Sequence, residues 1–301
     1  MDSIIITGAS GFVGQNLVRH IVSSNLGEIQ KLSLRDDLPA TLPEAKALIH
    51  LAGKAHDIEK KANDQDYFEV NFVKTKALFD LFLKSNCNDF IYFSSVKATA
   101  DTLSDVLTEE HESNPKTPYG QSKFQAEEYI LAQSLPTGKR VFILRPCMIH
   151  GPGNKGNLNL LYKVVQRGIP YPLGAFTNSR SFLSIGNLLY ILERIIQDPA
   201  IPGGIYNVAD DDALPTTELI RVIATASSFN ARIWNIAPGL IINVAKVGDV
   251  LRLPFNSERL KKLTESYVVS NRKIKNALRI KHLPLSSKDG LFITIRSFNS
   301  K

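Results

Sequence analysis

The chain has 301 residues, 44% hydrophobic and 22% charged, with a formal net charge of +7 and a pI near 9.3. That composition belongs to a soluble globular protein with enough chain for a large core and one or two domains. It carries no dense Lys/Arg block, zinc spacing or RNP-type motif, which argues against a nucleic-acid partner, so the basic excess is expected to serve an anionic substrate and a solvated surface.

From the N-terminus, "SIIIT" (3–7) reads as a buried strand and "GQNLVRHIVSS" (14–24) as a helix, with apolar residues at 17, 18, 21 and 22. "KLSLR" (31–35), "ALIHLA" (47–52) and "FIYFSS" (90–95) read as further strands, with one long helical pattern over 66–86 between the last two. A helix over 118–134 and the strand "RVFILRP" (140–146) follow. Strands and helices in alternation, with the strands apolar throughout, predict a parallel sheet covered on both faces. After a Gly/Pro/Asn loop (150–157), the pattern gives a helix over 187–197, a strand over 204–210 and a helix over 215–227. Short basic elements close the chain. The expected fold is α/β: a Rossmann-type, doubly wound parallel sheet over 1–155, rejoined by elements near 180–210. A smaller C-terminal α/β substrate-binding domain over 156–301 would interleave with it.

Cys87 and Cys147 show no CxxC or metal-ligand spacing, so no metal site is expected and the chain reads as a reduced intracellular protein. "MDSIIITG" lacks the apolar length of a signal peptide, and no apolar run is long enough to span a bilayer. A cytoplasmic protein is expected.

"ITGASGFVG" (6–14) places Gly8, Gly11 and Gly14 after a strand and before a helix. Such glycines permit a tight turn, close approach to a pyrophosphate, and packing of helix on strand. Ser10, Phe12 and Val13 complete the expected phosphate-facing turn. Tyr119 and Lys123 are four apart and share one helical face, with Thr117 as cap and Pro118 at the first helical position. The lysine charge is expected to lower the Tyr119 pKa, so that the phenol can exchange a proton with a carbonyl or alcohol oxygen. A surface Tyr and Lys one turn apart is the alternative. In "KLSLRDD" (31–37), Arg35 lies 21 residues after Gly14, about where a dinucleotide fold places its discriminating side chain. An arginine there can pair with a 2′-phosphate. The alternative is a solvent-facing Arg35, with Asp36 or Asp37 on the ribose.

In order, "TGASGFVG", "HLAG" (50–53), "VN" (70–71), "YFSS" (92–95), "YGQSK" (119–123) and "LRPCMIHGPG" (144–153) resemble the extended short-chain dehydrogenase/reductase family of epimerases, dehydratases and reductases. The resemblance implies catalytic roles for Ser95, Tyr119 and Lys123, although Ala100 stands where a glycine is usual. It implies cofactor contacts at Leu51, Ala52, Gly53 and Pro146, with Lys123 also on the nicotinamide ribose, and a structural role for Asn71. NADP(H) is favoured and NAD(H) possible. The second half resembles the nucleotide-sugar segment: Asn157 and Arg180 for the diphosphate, Leu173 near the uracil, and Asn187 where Asp is usual. Arg252 and Arg259 are further candidate cations, with a solvated basic face as the alternative. The implied substrate is a UDP-sugar. "SSVK", "GPGNKGN" with "PLG" and "RS", and "LTESYVVSNRKIKNALRI" (263–280) together resemble most the branch reducing UDP-4-keto-6-deoxy-HexNAc sugars, with a UDP-hexose or UDP-HexNAc 4-epimerase holding tightly bound NAD as the alternative, while "SSVK" lacks the Asp-Glu pair of dehydratases. "LRIKHLP" replaces the usual "LGW-P" ending of the reductase branch. A non-catalytic cofactor-binding regulator is the reading of a different class. A homodimer through the 66–86 and 118–134 helices is a further implication.

Overall fold

The computed structural model describes residues 3–54, 63–154, 157–253 and 255–299. Six parallel strands form the central sheet in the order β2-β1-β3-β4-β5-β8. They are β1 (Ser3–Thr7), β2 (Glu28–Leu32), β3 (Ala47–His50), β4 (Asp89–Phe93), β5 (Arg140–Pro146) and β8 (Gly204–Val208). β1, β3 and β4 are buried along their whole length, which is why they read as unbroken apolar runs. Alternate side chains serve opposite faces. Ile4 and Ile6 join one core with Leu17, Leu188 and Ile191, while Ile5 joins the other with Phe79, Phe82 and Phe90. Helices α1 (Phe12–Ser23) and α6 (Ile185–Gln197) cover the first face; α3 (Lys74–Lys84) and α4 (Pro118–Leu131) cover the second.

Three sequence expectations shift. The second strand is β2 at Glu28–Leu32, not 31–35, because hydrogen-bonded pairing with Ser3–Thr7 sets its bounds. It is an edge strand and tolerates polar residues, so hydrophobicity alone mislocates it. The fourth apolar run, over 90–95, ends as a strand at Phe93, leaving Ser94 and Ser95 beyond it. The single helix expected over 66–86 is three pieces: α2 (Asp64–Phe68), a π-helical turn (Glu69–Val73), and α3. The wide turn inserts Asn71 into the fold, as π-turns often do near functional sites.

Beyond β5 the chain builds a second layer. Strands β6 (Met148–His150) and β7 (Phe182–Ser184) pair in parallel, and α5 (Asn157–Gln166), α7 (Thr216–Ala226) and α11 (Ser287–Asn299) share a separate core around Leu219, Ile223 and Leu291. Helices α8 (Pro238–Leu251) and α9 (Ser257–Thr264) close a small cluster over Leu173, and α10 (Arg272–Leu278) returns to the sheet beside β8. β8 completes the edge of the central sheet next to β5, so the late chain interleaves with the early one.

A buried polar chain ties β1, β3 and α3 together. Ala52 N–H donates to Thr7 Oγ1 (3.1 Å), and Thr7 lies 2.7 Å from His50 Nδ1. His50 Nε2 lies 2.8 Å from Thr75 Oγ1, which donates to the Asn71 carbonyl at 2.8 Å. Thr75 spends its only proton on Asn71, so His50 donates from Nε2, and in the neutral ring Nδ1 accepts from the Thr7 hydroxyl. Burial, aided by the Lys123 charge, lowers the His50 pKa from 6.5 to about 3.

Below pH 6.5 the unfolded chain therefore binds a proton at His50 that the folded chain refuses. The stabilisation is complete above that pH and is lost as pH falls toward 3. Urea unfolding should show wild type losing about 2 kcal/mol more between about pH 7 and pH 5 than His50→Gln. Equal losses would show that His50 is not held neutral.

Candidate active site

The strand order reverses on either side of β1, and the crevice at the C-terminal ends of β1 and β3 is where such sheets take their ligand. Gly8 enters that crevice at φ +69°, and a Cβ there would stand 2.6 Å from Ala52 N. A Cβ on Gly14 would stand 2.3 Å from the Gly8 carbonyl, and Gly11 N–H closes the turn onto that same oxygen (3.0 Å). α1 begins at Phe12 with no side-chain cap, and Ser10 and Gly11 are exposed ahead of it; Val13 packs against the core behind. An open helix N-terminus behind a glycine turn fits a dinucleotide diphosphate. Leu51, Ala52 and Gly53 line the neighbouring strand end, and a Cβ on Gly53 would lie 3.0 Å from both Asn71 Oδ1 and Lys123 Nζ. The glycine turn, the β3 end and Lys123 are therefore contiguous.

α4 starts at Pro118 with Thr117 as cap, its hydroxyl accepting from Gly120 N–H (3.3 Å). This places Tyr119, Lys123 and Glu127 on one face at successive turns. Glu127 is fully buried. It accepts from Arg145 Nε (3.0 and 3.1 Å), from Arg145 Nη2 and from the Ser94 hydroxyl. Ser94 is thus structural, and Arg145 anchors α4 to β5, with Pro146 ending that strand beside Val208. Ser95 lies one residue farther, buried, its hydroxyl accepting from Lys97 N–H (3.2 Å) and hydrogen-bonded to Tyr119.

The electrostatics correct one expectation. Burial pushes the Tyr119 phenol up; the Ser95 hydrogen bond opposes this and Tyr67 adds to it. The expected lowering by Lys123 does not prevail. That ammonium donates to the Phe93 carbonyl (2.7 Å) and sits 5.0 Å from the Tyr92 ring, and burial lowers its own pKa to about 8 against the pull of Glu127. Asn71 is buried, accepting from Lys54 N–H (2.8 Å) and donating to Ser122 Oγ (3.1 Å), which locks the β3 loop to α4.

Several residues at the site escaped the sequence reading. Tyr67 meets Tyr119 edge-on, with ring centroids 6.1 Å apart. Asp101 accepts from Lys116 N–H (2.7 Å), Thr117 N–H (3.3 Å) and the Thr117 hydroxyl (3.0 Å), tying the Ser95 loop to the start of α4. Tyr267 donates to the Ala100 carbonyl (2.7 Å), so Ala100 occupies a loop that the C-terminal region clamps. Lys97 lies 4.0 Å from the Tyr267 ring and donates to the Asp101 carbonyl (2.7 Å). Only Glu127 had a sequence signal, its spacing of four from Lys123.

The substrate candidates are dispersed. Arg180 donates to the backbone carbonyls of Glu265 (3.1 Å) and Lys262, within electrostatic range of Lys97. Leu173 is buried under α8. Arg252 is exposed at the α8 C-terminus with φ +54°, and Arg259 is exposed on α9. Asn157 opens α5, and its side chain lies outside the described residues. Asn187 is buried, donating to Asp210 (2.7 Å) and pairing with the Leu285 backbone. Arg35 is exposed three residues past the end of β2.

The family model described as "NAD dependent epimerase/dehydratase family" matches residues 4–209. A UDP-glucose 4-epimerase of Vibrio cholerae is 32% identical over 248 residues, 74% of this chain and 75% of that protein. A GDP-6-deoxy-D-mannose reductase of Pseudomonas aeruginosa is 26% identical, covering 73% and 79%. The solved structure "MoeE5 in complex with UDP-glucose and NAD" shares the fold, with a TM-score of 0.74 at 18% identity and 99% of each chain covered. The glycine turn, the Ser95–Tyr119–Lys123 cluster and these matches agree: the chain belongs to the NAD-dependent epimerase/dehydratase family of enzymes and binds a nicotinamide dinucleotide.

Proposed function

We propose that this enzyme reduces the 4-keto group of a UDP-4-keto-6-deoxy-N-acetylhexosamine. The observation that supports this is geometric: Ser95 hydrogen-bonds Tyr119 at the crevice, with Lys123 one turn farther along α4, and a phenol so placed can give a proton to a carbonyl oxygen. The bound dinucleotide supplies the hydride. Tyr119 would protonate the C4 oxygen, Ser95 would hydrogen-bond that oxygen, and Lys123, beside Gly53, would hold the nicotinamide ribose. Glu127 and Asn71 keep α4 in register while this happens. Residues 1–155, with α6 and β8, hold the dinucleotide, and the remainder holds the nucleotide sugar. Arg180, beside Lys97, provides positive charge for the diphosphate, with Asn157 and Arg252 as further contacts and Leu173 toward the base. Orientation through a diphosphate remote from C4 is a large part of the rate. Helices α3 and α4 form the homodimer contact.

NADP(H) is the favoured dinucleotide. After Glu28, at the far end of β2, the chain offers no carboxylate until Asp36; Leu32, Ser33, Leu34 and Arg35 stand where the adenosine ribose is read. A second reading, UDP-hexose or UDP-HexNAc 4-epimerisation with retained NAD, uses the same residues and is favoured by the 32%-identical Vibrio relative.

NADPH absorbance should fall when the enzyme meets UDP-4-keto-6-deoxy-GlcNAc. If NADPH is untouched and UDP-GlcNAc and UDP-GalNAc interconvert instead, the epimerase reading replaces this one. Tyr119→Phe should lower kcat by roughly 10²–10⁴-fold while NADPH binding, followed by fluorescence, changes by less than about threefold. Arg35→Ala should weaken NADPH by about tenfold and leave NADH unchanged; equal NADPH affinity would refute the role of Arg35.

A further inference from the structure

α8 is apolar on nearly every side. Ile241, Ala245 and Gly248 face inward, over Leu173 and Leu260 and against Phe255. On the outer side Leu240, Val244, Val247 and Leu251 are all exposed and recur at spacings of four, three and four, one stripe along a helix. Val250 beside them is 82% exposed. Of the fourteen residues only Asn243, Lys246 and Asp249 interrupt the run with polar groups. A helix of this kind is ordinarily covered. The apolar surface continues in exposed Leu253, and the chain's single tryptophan, Trp234, stands exposed four residues before the helix.

Charge decides what covers it. Leaving aside Arg252, which the proposed reading gives to the substrate, residues 232–262 carry Arg232, Lys246, Arg259, Lys261 and Lys262, against only two carboxylates. Asp249 accepts from Ser257 N–H (3.0 Å) and the Ser257 hydroxyl (2.5 Å), and Glu258 pairs with Lys262 (2.6 Å). A second copy meeting this face across a twofold axis would set the basic rim against itself. An anionic bilayer would neutralise it, each basic side chain near the surface adding about fivefold to binding. We infer that α8 and α9 form a docking face that seats the protein on an anionic membrane surface, with the apolar stripe at the acyl boundary and the basic side chains among the headgroups. The docking is onto the surface; among the described residues no helix is long and apolar enough to cross a membrane. The inference is independent of the reaction catalysed.

Flotation of the full chain with vesicles of phosphatidylcholine alone, or of equal parts phosphatidylcholine and phosphatidylglycerol, tests it. Binding should favour the anionic vesicles by about tenfold or more, weaken in high salt, and move Trp234 emission to the blue. The double variant Val247→Asp, Val250→Asp, at two exposed positions, should lose at least about tenfold in vesicle binding with its thermal midpoint unchanged. Failure of the wild type to float with anionic vesicles overturns the proposal. So does a wild-type dimer, seen by sedimentation equilibrium, that the double variant dissolves, since a second copy would then be the cover.

Discussion

The buried carboxylate of Glu127 is the constraint on which the site rests. A charge in that position, between the sheet and α4, is tolerable only with its partners in place. Arg145 from β5 and Ser94 from the end of β4 supply them. Their geometry fixes the rotation of α4 about its axis, because Glu127 cannot turn away without abandoning a buried guanidinium. Lys123 and Tyr119, one and two turns earlier on the same face, are therefore presented to the ends of β3 and β4. The orientation of that face follows from this salt bridge.

The second constraint is neutral. Thr7, His50 and Thr75 pass a fixed direction of hydrogen bonding from the β3 loop to the Asn71 carbonyl, and Asn71 spends its side chain on Lys54 and Ser122. The π-helical turn makes this possible by letting one residue leave the regular helical ladder. Thus the glycine turn, the end of β3 and helix α4 are held in one polar lattice, not only by apolar packing. Lys123 belongs to both constraints. Its charge helps keep His50 neutral, and Glu127 helps keep Lys123 charged.

The Ser95 loop is bounded from a third direction. Asp101 binds it to the start of α4, and Tyr267 holds its backbone from the C-terminal region. Gly120 packs against the same loop so closely that a Cβ would stand 2.4 Å from the Lys97 carbonyl. The distance between Ser95 and Tyr119 is thereby set by residues far apart in sequence.

Some of this was legible in the chain alone. Strands β1, β3 and β4 are buried on both faces, so their apolar runs announce a parallel sheet, and the glycine spacing with Tyr119 and Lys123 announces the dinucleotide chemistry. These are local patterns, and local physics produces them. β2 was misplaced because an edge strand owes its limits to its neighbour's hydrogen bonds and not to its own hydrophobicity. The Tyr119 pKa was misjudged because a spacing of four says that two side chains share a face, not which partner each will take. Lys123 turned to the Phe93 carbonyl, and burial governed the phenol. Asp101 and Tyr267 gave no signal, since their contacts span long separations that no periodicity encodes. The sequence determined the sheet, the glycine turn and the residue types that meet at the crevice. Only the tertiary structure decided their protonation and spacing, because desolvation and hydrogen-bond geometry arise where distant segments meet.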